Sequence, residues 1–187
     1  MKFLDYYNNN KNIRFDSFEF ALNEAYKRNH KTLVETGVAR GKVKFFFFSK
    51  INWKDGMSTM IFSDYAKYIN GELYSCDINP NNIKNAKKFV KNNKKFITFI
   101  TDDSLNFLSS FKKNIDFLYL DSLDGQFDGA SLHQLNEIKI AIKKLKQGSL
   151  VLLDDKGSKT NLSIDYMLNN NFKIINETKE QVLLSYK

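Results

Sequence analysis

The segment KTLVETGVARGK (residues 31–42) holds a short β-branched run, TLVE, which brings Glu35 to its tip and is followed at once by Gly37. An apolar run this short, closed by a glycine turn, suits a buried strand. Gly37 has no Cβ, so the backbone there can come within contact distance of whatever approaches the turn. The strands further along the chain indicate what that is.

Four more runs of the same kind follow: ELYSCDI (72–78), FITFIT (96–101), IDFLYLD (115–121) and SLVLLDD (149–155). IDFLYLD is nearly continuously apolar, as expected for the middle of a parallel sheet. Helical spacing separates the runs. It predicts helices over about residues 58–69 with Ser58 as cap, 80–92 with Pro80 in its first turn, and 104–111 capped by Asp103 or Ser104. A long amphipathic helix is expected over 130–146, with Leu132, Leu135, Ile138, Ile142 and Leu145 on its buried face and Gly148 ending it. A last helix covers about 160–169. FKIINET and QVLLSY have only KE between them and read as an antiparallel hairpin. Strands that alternate with helices make an open, mostly parallel α/β sheet with helices on both faces. Before the first strand, residues 1–14 read as an irregular polar arm. A helix over about 17–29, capped by Asp16 or Ser17, has Phe18, Leu22 and Ala25 on one face. The expected organisation is therefore an arm and helix over residues 1–30 and one α/β unit over 31–187, with an insertion at about 41–56.

The chain has 187 residues, 42% of them hydrophobic, which is enough for one domain with a real core. No apolar run approaches the roughly 20 residues that span a bilayer, and the N-terminus lacks the features of a secretory signal. The single cysteine, Cys76, can form no disulfide within the chain. A cytoplasmic protein without a membrane partner is expected. Cys76 should act as a small hydrophobe pointing away from any ligand. The net charge of +8 and pI near 9.3 suit an anionic partner. Lysine and asparagine are spread along the whole chain, however, and no recognition motif accompanies them, so nucleic acid is not the expected partner.

In an open α/β sheet, ligands bind outside the carboxyl ends of the strands. Every parallel strand here ends in an acidic residue: Glu35, Asp77, Asp102 with Asp103, Asp121, and Asp154 with Asp155. Such a lining repels phosphates. Neither G-x-G-x-x-G nor G-x-x-x-x-G-K-[ST] is present, which argues against a nicotinamide dehydrogenase and against a nucleoside triphosphate. A ligand with a cationic centre and a ribose fits better. Asp77 can accept both ribose hydroxyls, and Glu35 can attract an ammonium. The plainer alternatives are an ion pair of Glu35 with Arg40, and helix capping by Asp77 or Asp103.

With these residues in place, the chain resembles a class I S-adenosylmethionine-dependent methyltransferase over about residues 30–187. VETGVARG resembles that family's first motif, LYSCDIN the second, ITDDSLNFL the third and IDFLYLDSLDG the fourth. The resemblance implies a Rossmann-like doubly wound sheet of order 3-2-1-4-5-7-6, with the terminal hairpin supplying the antiparallel strand. It also implies cofactor contacts from Glu35, Thr36, Gly37, Asp77, Ile78, Asp103, Ser104 and Asp121. Within the class, YLDS…HQLNEI…GSLVLLDD is similar to the macrocin-type small-molecule O-methyltransferases. In several of those, acidic residues matching Asp121, Asp154 and Asp155 hold a divalent metal, and Mg²⁺ would suit such a set.

The implied activity is O-methylation of a hydroxylated small molecule, a sugar or related metabolite. Asp121, Asp124 and His133 are the candidate catalytic groups. LDSLDGQFDG departs from the family's shorter acidic turn, which leaves the general base open between Asp124 and His133. An RNA methyltransferase and a non-catalytic cofactor- or partner-binding domain are the alternatives. The aromatic segment over 43–53, with Phe45, Phe46, Phe47, Phe48 and Trp53, is expected to be a lid, a homodimer contact or a plug on the core. The lysine-rich helix is expected to be a solvated face.

Overall fold

The molecule is described by a computed structural model covering residues 1–45 and 48–187. Its helices are α1 (Phe15–Lys27), α2 (Ser58–Tyr68), α3 (Pro80–Phe89), α4 (Ser104–Ser110), α5 (Ala130–Ala141) and α6 (Asn161–Leu168). Its strands are β1 (Thr32–Thr36), β2 (Lys42–Phe45), β3 (Phe48–Ile51), β4 (Glu72–Asp77), β5 (Ile97–Thr101), β6 (Ile115–Leu120), β7 (Leu145–Leu153), β8 (Phe172–Glu177) and β9 (Val182–Tyr186). Seven strands form one sheet of order β5-β4-β1-β6-β7-β9-β8. Pairing is parallel from β5 through β7, and β9 runs antiparallel to both β7 and β8. Numbering only the strands of this sheet, the order is the expected 3-2-1-4-5-7-6.

The central strands alternate with period 2 between two cores, because successive side chains of a strand point to opposite faces. Leu33, Phe117, Tyr119, Leu150 and Leu152 pack on one face with Phe18, Leu22, Ile61 and Phe62 of α1 and α2. Val34, Leu118, Leu120, Val151 and Leu153 pack on the other with Phe107, Ile138 and Met167 of α4, α5 and α6. All six residues of β6 are buried, so this strand is covered on both sides and anchors both layers. Among the described residues, no helix is long and apolar enough to cross a membrane.

Four local expectations differ from the structure. The N-terminal arm is not loose. Residues Lys2–Tyr6 form a 3₁₀ turn, Leu4 and Tyr7 are fully buried, and the Tyr7 hydroxyl donates to Asp64 Oδ2 at 2.5 Å. The helix expected over 130–146 stops at Ala141, and its buried face is Ala130, Gln134, Glu137, Ile138 and Ala141. Leu132 is 54% exposed, Leu145 begins β7, and Gly148 lies inside β7 instead of ending the helix. Polar residues take this inner face because polar partners meet them there: Gln134 Nε2 donates to the Asp154 carbonyl at 3.5 Å, and Glu137 lies beside Thr36, Ser104 and Ser122. Ser58 makes no capping bond to α2.

The insertion forms an antiparallel hairpin of β2 and β3. Phe46 and Phe47, part of its expected aromatic contact, lie outside the described residues. Trp53 packs on Tyr6 with ring centroids 5.8 Å apart and, partly buried, against the core cluster of α1 and α2. The exposed lysines Lys84, Lys87 and Lys88 of α3 stand away from the buried Ile83 and Ala86.

Phe62 is the centre of an aromatic cluster, with Phe18, Phe117 and Tyr119 at centroid distances of 5.3, 5.4 and 5.2 Å. Phe62→Ala should therefore cost about 3–5 kcal/mol of stability, read as a lower urea midpoint at unchanged slope.

Candidate active site

The carboxyl ends of the central strands are held together by backbone bonds beyond the sheet. Gly37 N–H donates to the Cys76 carbonyl at 2.8 Å, Asp121 N–H to the Thr36 carbonyl at 2.9 Å, and Asp154 N–H to the Leu120 carbonyl at 3.2 Å. Gly37 has φ +80°, and a Cβ there would lie 2.0 Å from the Asp121 carbonyl oxygen. Its glycine is thus required by the close passage of β1 against the end of β6, and Gly37 also stands in the lining of a cavity.

Two cavities open at these tips. The first, of about 270 Å³, is lined by Gly37, Cys76, Asp77, Ile78, Asp102, Asp103, Ser104, Ser122, Leu123 and His133. The Asp77 carboxylate is oriented by three donors: Val38 N–H at 3.2 Å, Asn79 N–H at 2.7 Å and the Asn82 amide at 3.1 Å. It is not the cap of α3; the Asn79 side chain fills that role by accepting from Asn81 N–H. Asp103 caps α4 through Leu105 and Asn106 N–H while also lining the cavity, so one residue serves both purposes. Ile78, 71% exposed, forms the lip. Cys76 touches this cavity, contrary to expectation, but its Sγ donates to the Asp102 carbonyl at 3.3 Å. Burial pushes its thiol up to about 12, which leaves it unreactive.

The second cavity is larger, about 540 Å³, and is lined by charge: Arg14, Arg40, Lys54, Asp121, Asp124, Asp154 and Asp155, with Asn52, Gly125, Gln126 and Ser158. Asp121, Asp154 and Asp155 converge, each offering an oxygen within 4.8 Å of the others. All six of their carboxylate oxygens already accept a hydrogen bond. Asp154 Oδ1 takes Arg14 Nε and Gln181 Nε2, both at 2.7 Å, and its Oδ2 takes Arg14 Nη2 at 2.8 Å. Asp155 Oδ1 takes Arg14 Nη2 at 3.2 Å, and its Oδ2 takes Lys159 Nζ at 3.1 Å and Gly125 N–H at 3.2 Å. Asp121 Oδ1 takes Lys159 Nζ at 2.9 Å, and its Oδ2 takes the Tyr119 hydroxyl at 3.3 Å. The trio is therefore assembled as the sequence suggested, but in this arrangement its donor set does not fit a divalent ion, because side-chain cations hold the oxygens that a metal would need.

These pairings set the electrostatics. Burial and the neighbouring Asp154 carboxylate hold Asp121 well above the usual carboxylate range, with Lys159 opposing. For Asp155, burial acts upward, but Lys159, the Gly125 N–H and Arg14 together pull it below its ordinary value. Burial alone would favour a neutral Lys159, yet Asp121 and Asp155 overcome it and keep the ammonium charged.

The other expected residues fall in different places. Glu35 does not reach either cavity. It is fully buried beneath the turn, and its two oxygens accept from the hydroxyls of Ser58 and Ser75, both at 2.6 Å. Arg40, the alternative partner considered for Glu35, pairs with Asp124 at 2.8 Å. Thr36 is likewise buried, with its side chain beside Glu137. Asp121 lines the second cavity, while its neighbours Ser122 and Leu123 line the first. His133, proposed as a base, faces the first cavity, with Nε2 3.0 Å from Ser104 Oγ and 3.8 Å from Glu137 Oε1. It is thus separated from the acidic trio.

Sequence reasoning missed Arg14, Lys159, Gln181 and Glu137. Lys159 stands at i+4 from Asp155, a spacing that could have marked it. Arg14 lies 140 residues from Asp154 and carries no local signal.

A family model described as "Methyltransferase domain" matches residues 34–156. The chain belongs to this methyltransferase family. The match spans both cavities' strand tips from β1 to β7, the part of the chain in which the four motifs were read. A search of curated proteins by sequence finds no match. Solved structures share the fold at low identity. An O-methyltransferase from Bacillus cereus in complex with SAH has TM-score 0.67 and 11% identity, covering 100% of this chain and 88% of that one. An SAH-bound methyltransferase from Podospora anserina has TM-score 0.65 and 11% identity, covering 91% and 78%. An rRNA methylase from Streptococcus thermophilus has TM-score 0.64 and 12% identity, covering 95% and 98%. The methyltransferase therefore shares its whole architecture with enzymes of differing acceptors.

Glu35 generates a pH prediction. Burial lifts its carboxyl to about 7 from an ordinary 4.5, against the Ser58, Ser75 and Thr59 hydroxyls. Between those values the folded state binds more protons than the unfolded state, so this group's contribution to stability is full below about pH 4.5 and falls as pH rises towards 7. The change is on the order of 3 kcal/mol. Glu35→Gln should remove this slope, seen as a flatter profile of unfolding free energy between pH 5 and 7.

Proposed function

We propose that the chain is an S-adenosylmethionine-dependent methyltransferase that acts on a hydroxyl oxygen of a small hydroxylated acceptor, a sugar or related metabolite. The observation that carries this reading is the meeting of two unlike cavities at one loop. Ser122 and Leu123 wall a cavity suited to a nucleoside, and the adjoining Asp121 and Asp124 wall a polar cleft suited to hydroxyl groups. The printed description of the Bacillus cereus neighbour as an O-methyltransferase in complex with SAH supports the same reading.

When bound, the cofactor supplies a methyl group on a sulfonium, which is a good leaving group. The chain's residues hold and orient. Asp77, its carboxylate aimed by backbone and Asn82 donors, accepts the ribose hydroxyls. Asp103, Ser104 and His133 lie around the base end of the cavity. Ser122 walls the same cavity with its side chain beside the buried Glu137. In the cleft, Asp121 takes the proton from the acceptor hydroxyl. Its raised affinity for protons, caused by burial and by Asp154, makes it a better base than an ordinary carboxylate. Lys159 fixes the other Asp121 oxygen. The Arg40–Asp124 pair, with Arg40 about half exposed, stands at the mouth, where a polar acceptor can exchange with it.

A nucleic-acid acceptor is the second reading. It is favoured by the exposed lysines of α3 beside the sheet edge at β5 and by the rRNA methylase among the structural neighbours. That edge is three strands from β6 in the sheet order, which places the basic face away from the acidic cleft. A steep fall of RNA affinity with salt would favour this reading.

Calorimetry with S-adenosylhomocysteine tests the main reading. The protein should bind it at one site, and Asp77→Ala should weaken binding about 10- to 100-fold through loss of charge-assisted hydrogen bonds. Binding of NADH with none of S-adenosylhomocysteine would overturn it. Once a screen of hydroxylated metabolites finds an acceptor, Asp121→Asn should lower kcat by about 10²- to 10⁴-fold with affinity for S-adenosylhomocysteine retained.

A further inference from the structure

We propose that Lys159 and Arg14 are resident cations of the acidic trio. They occupy the place that the family resemblance gives to a divalent metal, so that the cleft is built to work without one.

Three observations carry this. First, the cations are embedded where they stand. Lys159 is 2% exposed, and its three N–H donors are matched by three acceptors: Asp121 Oδ1 at 2.9 Å, the Leu123 carbonyl at 3.0 Å and Asp155 Oδ2 at 3.1 Å. A buried ammonium with every donor satisfied is a permanent member of the site, since leaving would strand both it and the carboxylates. Second, Arg14 engages Asp154 with two parallel bonds, the fork geometry that a guanidinium offers a carboxylate. Its Nη1 also donates to the Lys54 carbonyl at 2.6 Å. The arm, the insertion and the end of β7 therefore close on one side chain. Third, the charges nearly balance. Three carboxylates against one ammonium and one guanidinium leave a single negative charge. A divalent ion shared by Asp121 and Asp155 would sit within a few ångströms of Lys159 Nζ and would be repelled by it.

Chemically, a lysine ammonium can neutralise and orient carboxylates as a metal does. It cannot open coordination positions for two substrate oxygens. The inferred consequence is a cleft that holds its acceptor by hydrogen bonds, with Asp121 kept in place by Lys159 and no ion between enzyme and substrate. The inference rests on the geometry of the trio and holds whichever acceptor is methylated.

Mn²⁺ is the probe, followed by the loss of its free-ion electron paramagnetic resonance signal on titration with the protein. The wild type should bind no Mn²⁺ at micromolar concentrations, and its Tm should be the same in Mg²⁺ and in EDTA. Lys159→Ala should gain a Mn²⁺ site of at least tenfold higher affinity, because it frees oxygens on two carboxylates that already converge. Lys159→Arg should gain none. Near-ultraviolet circular dichroism establishes that each variant is folded. Micromolar Mn²⁺ binding by the wild type that is lost in Asp154→Asn overturns the proposal, as does a folded Lys159→Ala that gains no site. The wild-type titration decides the matter alone if Lys159→Ala does not fold, and S-adenosylhomocysteine binding, measured in parallel, keeps this result separate from the function proposed above.

Discussion

Three carboxylates cannot share the end of one sheet unless positive charge comes with them. The cost of burying an unpaired carboxylate is large, and Asp154 is almost wholly buried. The ammonium of Lys159 and the guanidinium of Arg14 meet that constraint. The rest of the site follows from it. Because Lys159 must reach Asp121, the turn after β7 folds over the loop after β6. Because Arg14 reaches Asp154, the start of α1 is tied to the end of β7, and its bond to the Lys54 carbonyl anchors the insertion there. The cleft, the arm and the hairpin are in this sense one electrostatic assembly.

The first cavity is organised by a different rule, the supply of backbone donors and acceptors at strand ends. The strand tips are locked to each other by bonds from Gly37, Asp121 and Asp154. Asp77 is then held by N–H groups of the neighbouring turns. A carboxylate so fixed loses little freedom on meeting a ligand, which is how a rigid scaffold supports selective binding. Glu35 contributes from below: it links β1 to β4 and α2 through Ser75 and Ser58, so the turn that carries Gly37 has a firm base. Glu137 plays a comparable part under the other wall. It is buried beside Thr36, Ser104 and Ser122, and burial raises its carboxyl against the pull of His133.

Much of this was legible in the chain itself. Apolar runs ending in acidic residues marked the five parallel strands, and their alternation with helices marked the sheet. The place of Asp77 and Asp103 followed from strand ends alone. Ser58 was misread because a serine before an apolar run looks like a helix cap, whereas its hydroxyl serves a carboxylate 23 residues earlier. The inner face of α5 was misread because leucine spacing predicts a face only where the neighbour is an apolar core. Here Gln134 and Glu137 turn inward.

What the sequence determined by itself was the order of elements and the acidic tips, because period, strand length and turn residues are local and each strand carries its own signal. The tertiary structure alone decided which charges meet. Arg14 and Asp154 are neighbours only because β7 and α1 are brought together by a shared core. Glu35 is a buried support, not a cavity wall, only because β4 and α2 present hydroxyls to it. Long-range pairing has no sequence period, so it becomes visible only when the sheet is assembled.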